Sequence, residues 1–275
     1  EGTHQLEAAP CLATLELYDR AALTRTQNRK IILRQNLRGR RMHLSEFFGY
    51  METGHIQAVA EAIRVDSNMV NARDEDGVTP LQWAAEHGQI EIARLLLSLG
   101  ADVQARNDEK ATALFAAVFK DLNLARLLLE AGADIQTQNA LGHTPLHELA
   151  WYGRVIESQF VIDNGASVDS RNTCGCTPLH LAADSGMANE VQFLIANSAD
   201  INSRCTCGYT PLHHAVSTNI EPHQIQWHLD TIETLIRSGA DINAPDDEGQ
   251  TPLELARRRS RYPEILALLV QPDVS

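Results

Sequence analysis

Thr79-Pro80-Leu81 is the first of five copies of one tripeptide in this chain of 275 residues. The other copies are Thr144-Pro145-Leu146, Thr177-Pro178-Leu179, Thr210-Pro211-Leu212 and Thr251-Pro252-Leu253. A degenerate copy, Thr112-Ala113-Leu114, fills the one gap in the series. The six threonines stand 33, 32, 33, 33 and 41 residues apart, and such a period is typical of proteins built from stacked repeats.

Each copy has the residue types that begin a short helix. Thr79 is a good N-cap, and Pro80 loses nothing at the first helical position, where its missing N–H would have no partner. Ile92 and Leu96 then return at helical spacing and predict a second helix. One such helical hairpin cannot bury both of its faces, so its stability has to come from stacking on its neighbours.

A Gly-Ala-Asp type of ending follows the second apolar segment at residues 100–102, 132–134, 165–167 and 239–241. Together with the six threonine-led copies, this pattern resembles the ankyrin repeat family over about residues 43–275. The resemblance implies an all-α fold, an ankyrin-repeat solenoid of about seven helix-turn-helix units with projecting hairpin-like loops. Residues 1–42 are expected to form a short helical segment before this domain.

Charge and hydropathy exclude several classes of function. The chain has 23 basic and 36 acidic residues, a net charge of −13, and an excess of basic residues in its first 42 positions. The body that follows is therefore strongly acidic and is expected to repel nucleic acid. No run of eighteen apolar residues and no signal-peptide pattern occurs, which predicts a protein away from membranes, in the cytoplasm or the nucleus.

The resemblance implies two exposed sets of positions where a partner protein would bind, the loop tips and the late positions of each first helix. The candidates at the helix positions are Glu86, His87, Phe119, Trp151, Tyr152 and Asp184. The candidates at the tips are Leu141, His143 and Tyr209. Because aromatic residues make up only 5% of the chain, Phe119, Trp151 and Tyr152 at equivalent offsets predict a binding hot spot, with inward packing as the alternative. The acidic flanks favour a basic partner.

Four of the five cysteines lie on two successive tips, as Cys174-Gly175-Cys176 and Cys205-Thr206-Cys207. Four thiols could bind zinc. Equivalent atoms of neighbouring repeats are expected to lie about 8–10 Å apart, however, which is long for a shared set of ligands. The cysteines are therefore predicted to be reduced thiols that contribute apolar surface, with a metal site as the weaker alternative.

Two further repeat positions carry structural predictions. His147, His180 and His213 recur three residues after the threonine, and in ankyrin-like proteins a histidine at this place braces neighbouring loops by hydrogen bonds. Lys110 replaces the tip glycine of the degenerate copy. If the backbone there keeps a positive φ, lysine costs about 1 kcal/mol relative to glycine.

Protein–protein recognition, in which the chain acts as a binding module or scaffold, is the leading hypothesis for function. A second hypothesis is a substrate-recruiting adaptor of a ubiquitin ligase, because residues 19–29 resemble the second half of an F-box. A third is a small-molecule-binding protein or enzyme that uses His87, Tyr152 and Asp184 in a groove. No nucleotide-binding loop, zinc-protease helix or nucleophile elbow occurs, so no catalytic residue and no cofactor are expected.

Overall fold

The computed structural model describes residues 43–217, 221–259 and 262–270, and in these ranges all regular structure is helical. Six helices precede residue 140: α1 (Leu44–Glu52), α2 (Ile56–Val65), α3 (Pro80–Glu86), α4 (Ile90–Ser98), α5 (Ala113–Lys120) and α6 (Leu122–Glu130), with a 3₁₀ helix at Ser67–Asn71. Eight follow: α7 (Pro145–Trp151), α8 (Val155–Asp163), α9 (Pro178–Asp184), α10 (Ala188–Ala196), α11 (Pro211–Ser217), α12 (Ile225–Arg237), α13 (Pro252–Arg259) and α14 (Pro263–Val270). The all-α prediction is confirmed.

The described residues up to Ala140 belong to one compact unit of three helical hairpins. Helix α3 packs against α5, and α4 packs against both α2 and α6. Leu81, Leu96, Leu114 and Leu128 are completely or almost completely buried between these helices. The core is therefore made by stacking one hairpin on the next, as expected for repeats that cannot bury both faces alone.

The described residues from Leu141 onward belong to a second compact unit with four hairpins. The first helices of these hairpins pack in series, α7 on α9, α9 on α11 and α11 on α13. The second helices do the same, α10 on α12 and α12 on α14. Helix α12 has thirteen residues where α8 and α10 have nine, so part of the long spacing before the last threonine is helical.

The recurring histidines join consecutive loops of the second unit. Thr177 donates its backbone N–H to Nδ1 of His180 at 3.1 Å, and Nε2 of His180 donates to the Tyr209 carbonyl oxygen at 3.0 Å. His147 and His213 make the same pair of contacts, ending on the carbonyl oxygens of Cys176 and Gln250. The predicted bracing role is confirmed.

These contacts require a neutral ring with the proton on Nε2, because the amide can only donate and the carbonyl can only accept. Burial lowers the pKa of His147 and His180 to about 3, and it lowers the pKa of His213 as well. The neutral form is therefore held by the fold itself. In the first unit Gln82 joins consecutive loops in the same way. Its side chain accepts from the Thr79 N–H and donates to the carbonyl oxygens of Ala105 and Ala111.

Two residues other than glycine hold a left-handed backbone in the described ranges. Lys110 has φ of 60° at the tip position where Gly142 has φ of 75°, so the condition for a strained lysine at this tip is met. Ser198 has φ of 69° just after α10, where Gly165 follows α8 with φ of 93°. The Gly142 site has a second constraint, since a Cβ there would lie 2.5 Å from the Thr173 backbone nitrogen.

Candidate functional site

An exposed apolar patch lies at the turn between α7 and α8 and consists of Trp151, Tyr152, Val155 and Ile156; we call it the Trp151–Ile156 patch. Tyr152 is 44% exposed and Ile156 is 75% exposed, while Trp151 and Val155 are half-buried. Large apolar side chains gathered at one exposed turn are a feature of partner-binding surfaces.

The local backbone explains why these residues come together at one turn. Helix α7 ends with Tyr152 as its C-cap, and Gly153 with φ of 64° turns the chain into α8. The positive φ favours glycine here, and a Cβ at Gly153 would also displace the Met187 side chain, whose sulfur would lie 2.9 Å away. In the next hairpin Ser185 and Asn189 hold the positions of Tyr152 and Ile156, so the patch is specific to this repeat.

A charged pair lies within the same turn. Arg154 and Glu157 form an ion pair with 2.5 Å between the guanidinium nitrogen and Oε1. The Glu157 hydrogen bond raises the pKa of Arg154, so the arginine keeps its charge at every physiological pH. Apolar side chains and a charged pair thus alternate along this turn, and interfaces combine both kinds of side chain.

The other exposed candidates belong to the first unit. Glu86 and His87 are exposed at the end of α3, and Phe119 is half-buried at the end of α5. The His87 ring stacks on Trp83 with 3.8 Å between the ring centroids, which orients it. Since Phe119 and the Trp151–Ile156 patch fall in different compact units, their grouping into one hot spot stays a prediction.

Three candidates are not exposed, and the expectation that they line a surface is wrong. His143, Asp184 and Tyr209 are all buried. Nδ1 of His143 lies 2.9 Å from Oε1 of the buried Glu148, and the Tyr209 ring stacks on His213 with 5.4 Å between the centroids. His143 and Tyr209, each directly before its threonine, therefore pack against the start of the following helix. Leu141, the other tip candidate, is half-buried.

A sequence signal for the buried polar residues exists but was missed. Glu148 and His214 both lie four residues after their threonine, a position that holds the buried Trp83 and Leu181 in other repeats. A polar side chain at such a position needs a buried partner. Glu148 faces His143, and Nδ1 of His214 lies 3.4 Å from Oδ1 of Asp184.

The cysteines approach more closely than expected. Potential ligand atoms of Cys176, Cys205 and His214 all lie within 4.8 Å of one another, and all three residues are buried. The predicted separation of 8–10 Å was wrong because Cys176 and Cys205 are not equivalent. Cys176 directly precedes its threonine, as Tyr209 does, whereas Cys205 lies five residues before Thr210.

His214 interacts with both cysteines of this cluster. The Cys176 sulfur lies 3.7 Å from Nε2 of His214, and the sulfurs of Cys205 and Cys207 lie 3.2 Å apart. Burial acts to lower the pKa of His214, but the Asp184 carboxylate and the Cys205 thiol outweigh it and raise the pKa to about 10. The positive charge of His214 in turn helps to lower the pKa of the neighbouring His180.

Fold and site together define a helical repeat protein whose loops are joined by buried hydrogen bonds and whose exposed turn carries an apolar patch. Residues 50–107 and 146–246 match the family described as ankyrin repeats (3 copies), and residues 114–157 match ankyrin repeats (many copies). The chain belongs to the ankyrin repeat family. Domains of this family are generally protein–protein interaction modules.

Similar proteins share short stretches with this chain. Ankyrin repeat family A protein 2 of Homo sapiens is 45% identical over 60 residues, which is 22% of this chain and 19% of that protein. The Homo sapiens DNA-binding protein RFXANK is 42% identical over 64 residues, 23% of this chain and 25% of that protein. The alignments thus span about a fifth to a quarter of the length of these curated relatives.

Solved structures match over most of the chain. The ankyrin repeat domain of Bcl-3 superposes with a TM-score of 0.67 at 24% identity, covering 82% of this chain and 97% of that one. The human ASB11 ankyrin repeat domain also has a TM-score of 0.67, at 25% identity, covering 83% and 99%. No helix within the described ranges is long and apolar enough to span a bilayer.

Proposed function

We propose that the chain recognises a partner protein and that the Trp151–Ile156 patch is the centre of the contact. The observation that carries the proposal is the joint exposure of Tyr152 and Ile156 on one turn of a repeat. Burying such side chains against a partner supplies most of the binding energy in typical interfaces, where a few large residues dominate. Glu86, His87, Phe119 and Leu141 are retained as secondary contact candidates.

The partner in this proposal presents a basic surface around an apolar anchor. The chain carries a net charge of −13, so a basic partner is attracted over distance and a nucleic acid is repelled. The apolar anchor packs on the Trp151–Ile156 patch. The acidic residues elsewhere in the chain attract the basic surface of the partner and speed association. Raising the salt concentration should therefore slow association more than it speeds dissociation.

The two alternative functions have less support. The F-box-like segment at residues 19–29 lies outside the described residues, so a ubiquitin-ligase adaptor role stays a prediction. The enzyme hypothesis relied on His87, Tyr152 and Asp184. Asp184 is buried against His214, and His87 belongs to the other compact unit, so no observation favours that trio.

The proposal is tested by replacing the two most exposed members of the patch. Peptide ligands are first selected against the full chain from a random library, and their affinity is then measured by calorimetry for Tyr152→Ala and Ile156→Ala. Each change is expected to weaken binding at least about tenfold, or about 1.4 kcal/mol. Both side chains are exposed, so the fold is expected to survive, which circular dichroism checks.

Trp227→Ala is the matched control, because Trp227 is 50% exposed on α12 in the same compact unit. It removes an exposed aromatic residue of similar size from a different hairpin. Selected peptides that bind both patch variants with unchanged affinity would contradict the proposed surface. Loss of binding in Trp227→Ala alone would move the contact to α12.

A further inference from the structure

The buried cluster of Cys176, Cys205 and His214 is independent of the partner-binding surface. Its members come from three separate places, the loop before α9, the loop before α11, and α11 itself. Their sulfur and nitrogen atoms lie within 4.8 Å of one another. From this geometry we propose that the cluster is a structural zinc site, with Cys207 as the fourth ligand.

The donor atoms have the chemistry and spacing that zinc prefers. Zinc in structural sites is held tetrahedrally by thiolate sulfur at about 2.3 Å and imidazole nitrogen at about 2.0 Å. Those bond lengths place a sulfur and a nitrogen of one site about 3.6 Å apart. The Cys176 sulfur and Nε2 of His214 are 3.7 Å apart, which leaves room for the ion between them with little movement.

The other nitrogen of His214 has the support that a metal-bound histidine requires. Nδ1 lies 3.4 Å from the Asp184 carboxylate, which is itself buried. A carboxylate on the far ring nitrogen fixes the orientation of the ring and directs Nε2 at the metal. Asp184 is thus a positioning residue, and this role explains why its carboxylate is buried.

Cys207 completes the set of ligands. Its sulfur lies 3.2 Å from that of Cys205, against about 3.8 Å for two thiolates on one zinc ion, and its side chain has to rotate toward Cys176 and His214 when the ion binds. Cys174 is the corresponding residue of the preceding tip, two positions after Asn172 as Cys207 is two positions after Cys205. Neither Cys207 nor Cys174 belongs to the group of atoms within 4.8 Å, and Cys207 is distinguished by its sulfur contact with Cys205.

Hydrogen bonds to backbone carbonyl oxygens hold the two cysteine-bearing loops together. Arg171 donates to the carbonyl oxygens of Gly175 and Arg204, 2.8 and 2.7 Å away. Thr206 donates its N–H and its hydroxyl to the Cys174 carbonyl oxygen, at 3.0 and 2.8 Å. The ligands are therefore pre-positioned on a rigid frame, which lowers the ordering cost of binding the ion.

The test uses the full chain without an affinity tag, stripped of metal and kept reduced. Zinc is added alone and measured by competition with a chromophoric chelator, and cobalt(II) is added in a parallel titration as a spectroscopic probe. One equivalent of tightly held zinc is expected. Cobalt should give thiolate charge-transfer absorption in the near ultraviolet and the intense visible bands of a tetrahedral site.

Variants separate this site from adventitious binding by thiols. Cys205→Ser is expected to weaken zinc binding by at least about 100-fold, and the half-exposed Cys207→Ser by about tenfold. Cys174→Ser is the matched control, since it removes a half-exposed thiol from the neighbouring tip, and it should leave the affinity unchanged. Circular dichroism verifies that each variant is folded.

Three results would overturn the proposal. The wild-type chain could take up no zinc, cobalt could give only the weak visible absorption of an octahedral site, or Cys174→Ser could reduce affinity as much as Cys207→Ser. Since Cys174 and Cys207 lie at the loop surface, their comparison stays informative even if replacing the buried Cys205 damages the fold.

Discussion

The hairpin α5–α6 and the hairpin α9–α10 follow the same repeat register but differ at their helix ends. Helix α9 has Pro178 at its first position and His180 in its capping box. Helix α5 has Ala113 at the first position, Phe115 in place of the histidine, and no side-chain bond from Thr112. The hairpin α9–α10 is thus the better capped of the two.

In the second helices of these two hairpins, α6 is better packed and better capped than α10. The third residue of α6 is the buried Leu124, whereas the third residue of α10 is Glu190, a carboxylic acid with no exposed surface. Asp121 also caps α6 through its side chain, while α10 has no side-chain cap. Each hairpin is therefore weak in a different place, and shared stacking tolerates both weaknesses.

The largest effect is expected from breaking the brace of the well-capped hairpin. His180→Ala removes the acceptor for the Thr177 N–H and the donor for the Tyr209 carbonyl, both buried, and should lower the free energy of unfolding by about 4 kcal/mol. Urea unfolding measures it. His180→Gln is the control, because Gln82 makes equivalent contacts, and it should recover most of the loss.

The control variant His180→Gln also tests how the stability of the chain depends on pH. The pKa of His180 is about 3 in the folded chain, below its ordinary value of 6.5, so the unfolded chain binds the extra proton. The histidine's contribution is complete above about pH 6.5 and is lost progressively as the pH falls toward 3. His180→Gln should therefore flatten the fall in stability between pH 7 and pH 5, and an unchanged slope would contradict the neutral brace.

Replacing the buried acid should remove the weakness of α10. Burial raises the pKa of Glu190 from 4.5 to about 7, partly offset by the Ser158 hydroxyl and increased by the Glu157 charge. The folded chain binds the extra proton, so stability is lost as the pH rises from about 4.5 through 7. Glu190→Gln should gain about 3 kcal/mol at pH 8 and little at pH 4.5.

Thermal or urea unfolding at the two pH values checks this, with Glu157→Gln as the control. Glu157 is the corresponding third residue of α8 and is paired with Arg154, so its replacement should bring no comparable gain at pH 8. An equal gain for Glu190→Gln at pH 4.5 and pH 8 would show that the acid is not buried in its neutral form.

A smaller gain is expected at the tip of the poorly capped hairpin. Lys110 has φ of 60°, so Lys110→Gly should stabilise the chain by about 1 kcal/mol. Lys110→Ala removes the same charge but keeps a Cβ, and should give no gain. Hydrogen exchange at residues 107–111 measures the local effect; equal protection in all three proteins would argue against backbone strain.

The smallest effect is expected at the start of α5. Ala113→Pro restores the proline found at this position in α3, α7 and α9, and Thr112 already has the extended backbone that precedes proline, with ψ of 171°. A gain of about 0.5 kcal/mol in the free energy of unfolding is expected from the restricted unfolded chain. A loss of stability would show that α5 begins differently from its counterparts.

The helical hairpins and the histidine braces were predictable because each relies on residues a few positions apart. Thr177, Pro178 and His180 specify a helix start wherever they occur together. The positive φ of Lys110 was predictable for the same reason, since its turn is closed locally by Asn107. The left-handed Ser198 was missed, although it stands where other repeats have glycine.

The expected exposure of the candidate residues was less accurate, because exposure depends on how successive hairpins pack. Tyr152 is exposed as expected, but Asp184, at the end of the next first helix, turns inward to face His214 on α11. Nothing near Asp184 in sequence indicates this. His143 and Tyr209 were likewise expected at the surface, but both are buried.

The chain's own periodicity was sufficient to establish the register, the helix starts and the family, since capping acts over three or four residues and repeats along the chain. It could not establish which polar groups meet in the interior. Cys176 and His214 are thirty-eight residues apart and come within 3.7 Å only because consecutive hairpins stack with their loops in contact. Long-range packing, which local sequence does not encode, created both the buried cluster and the division between hidden and exposed candidates.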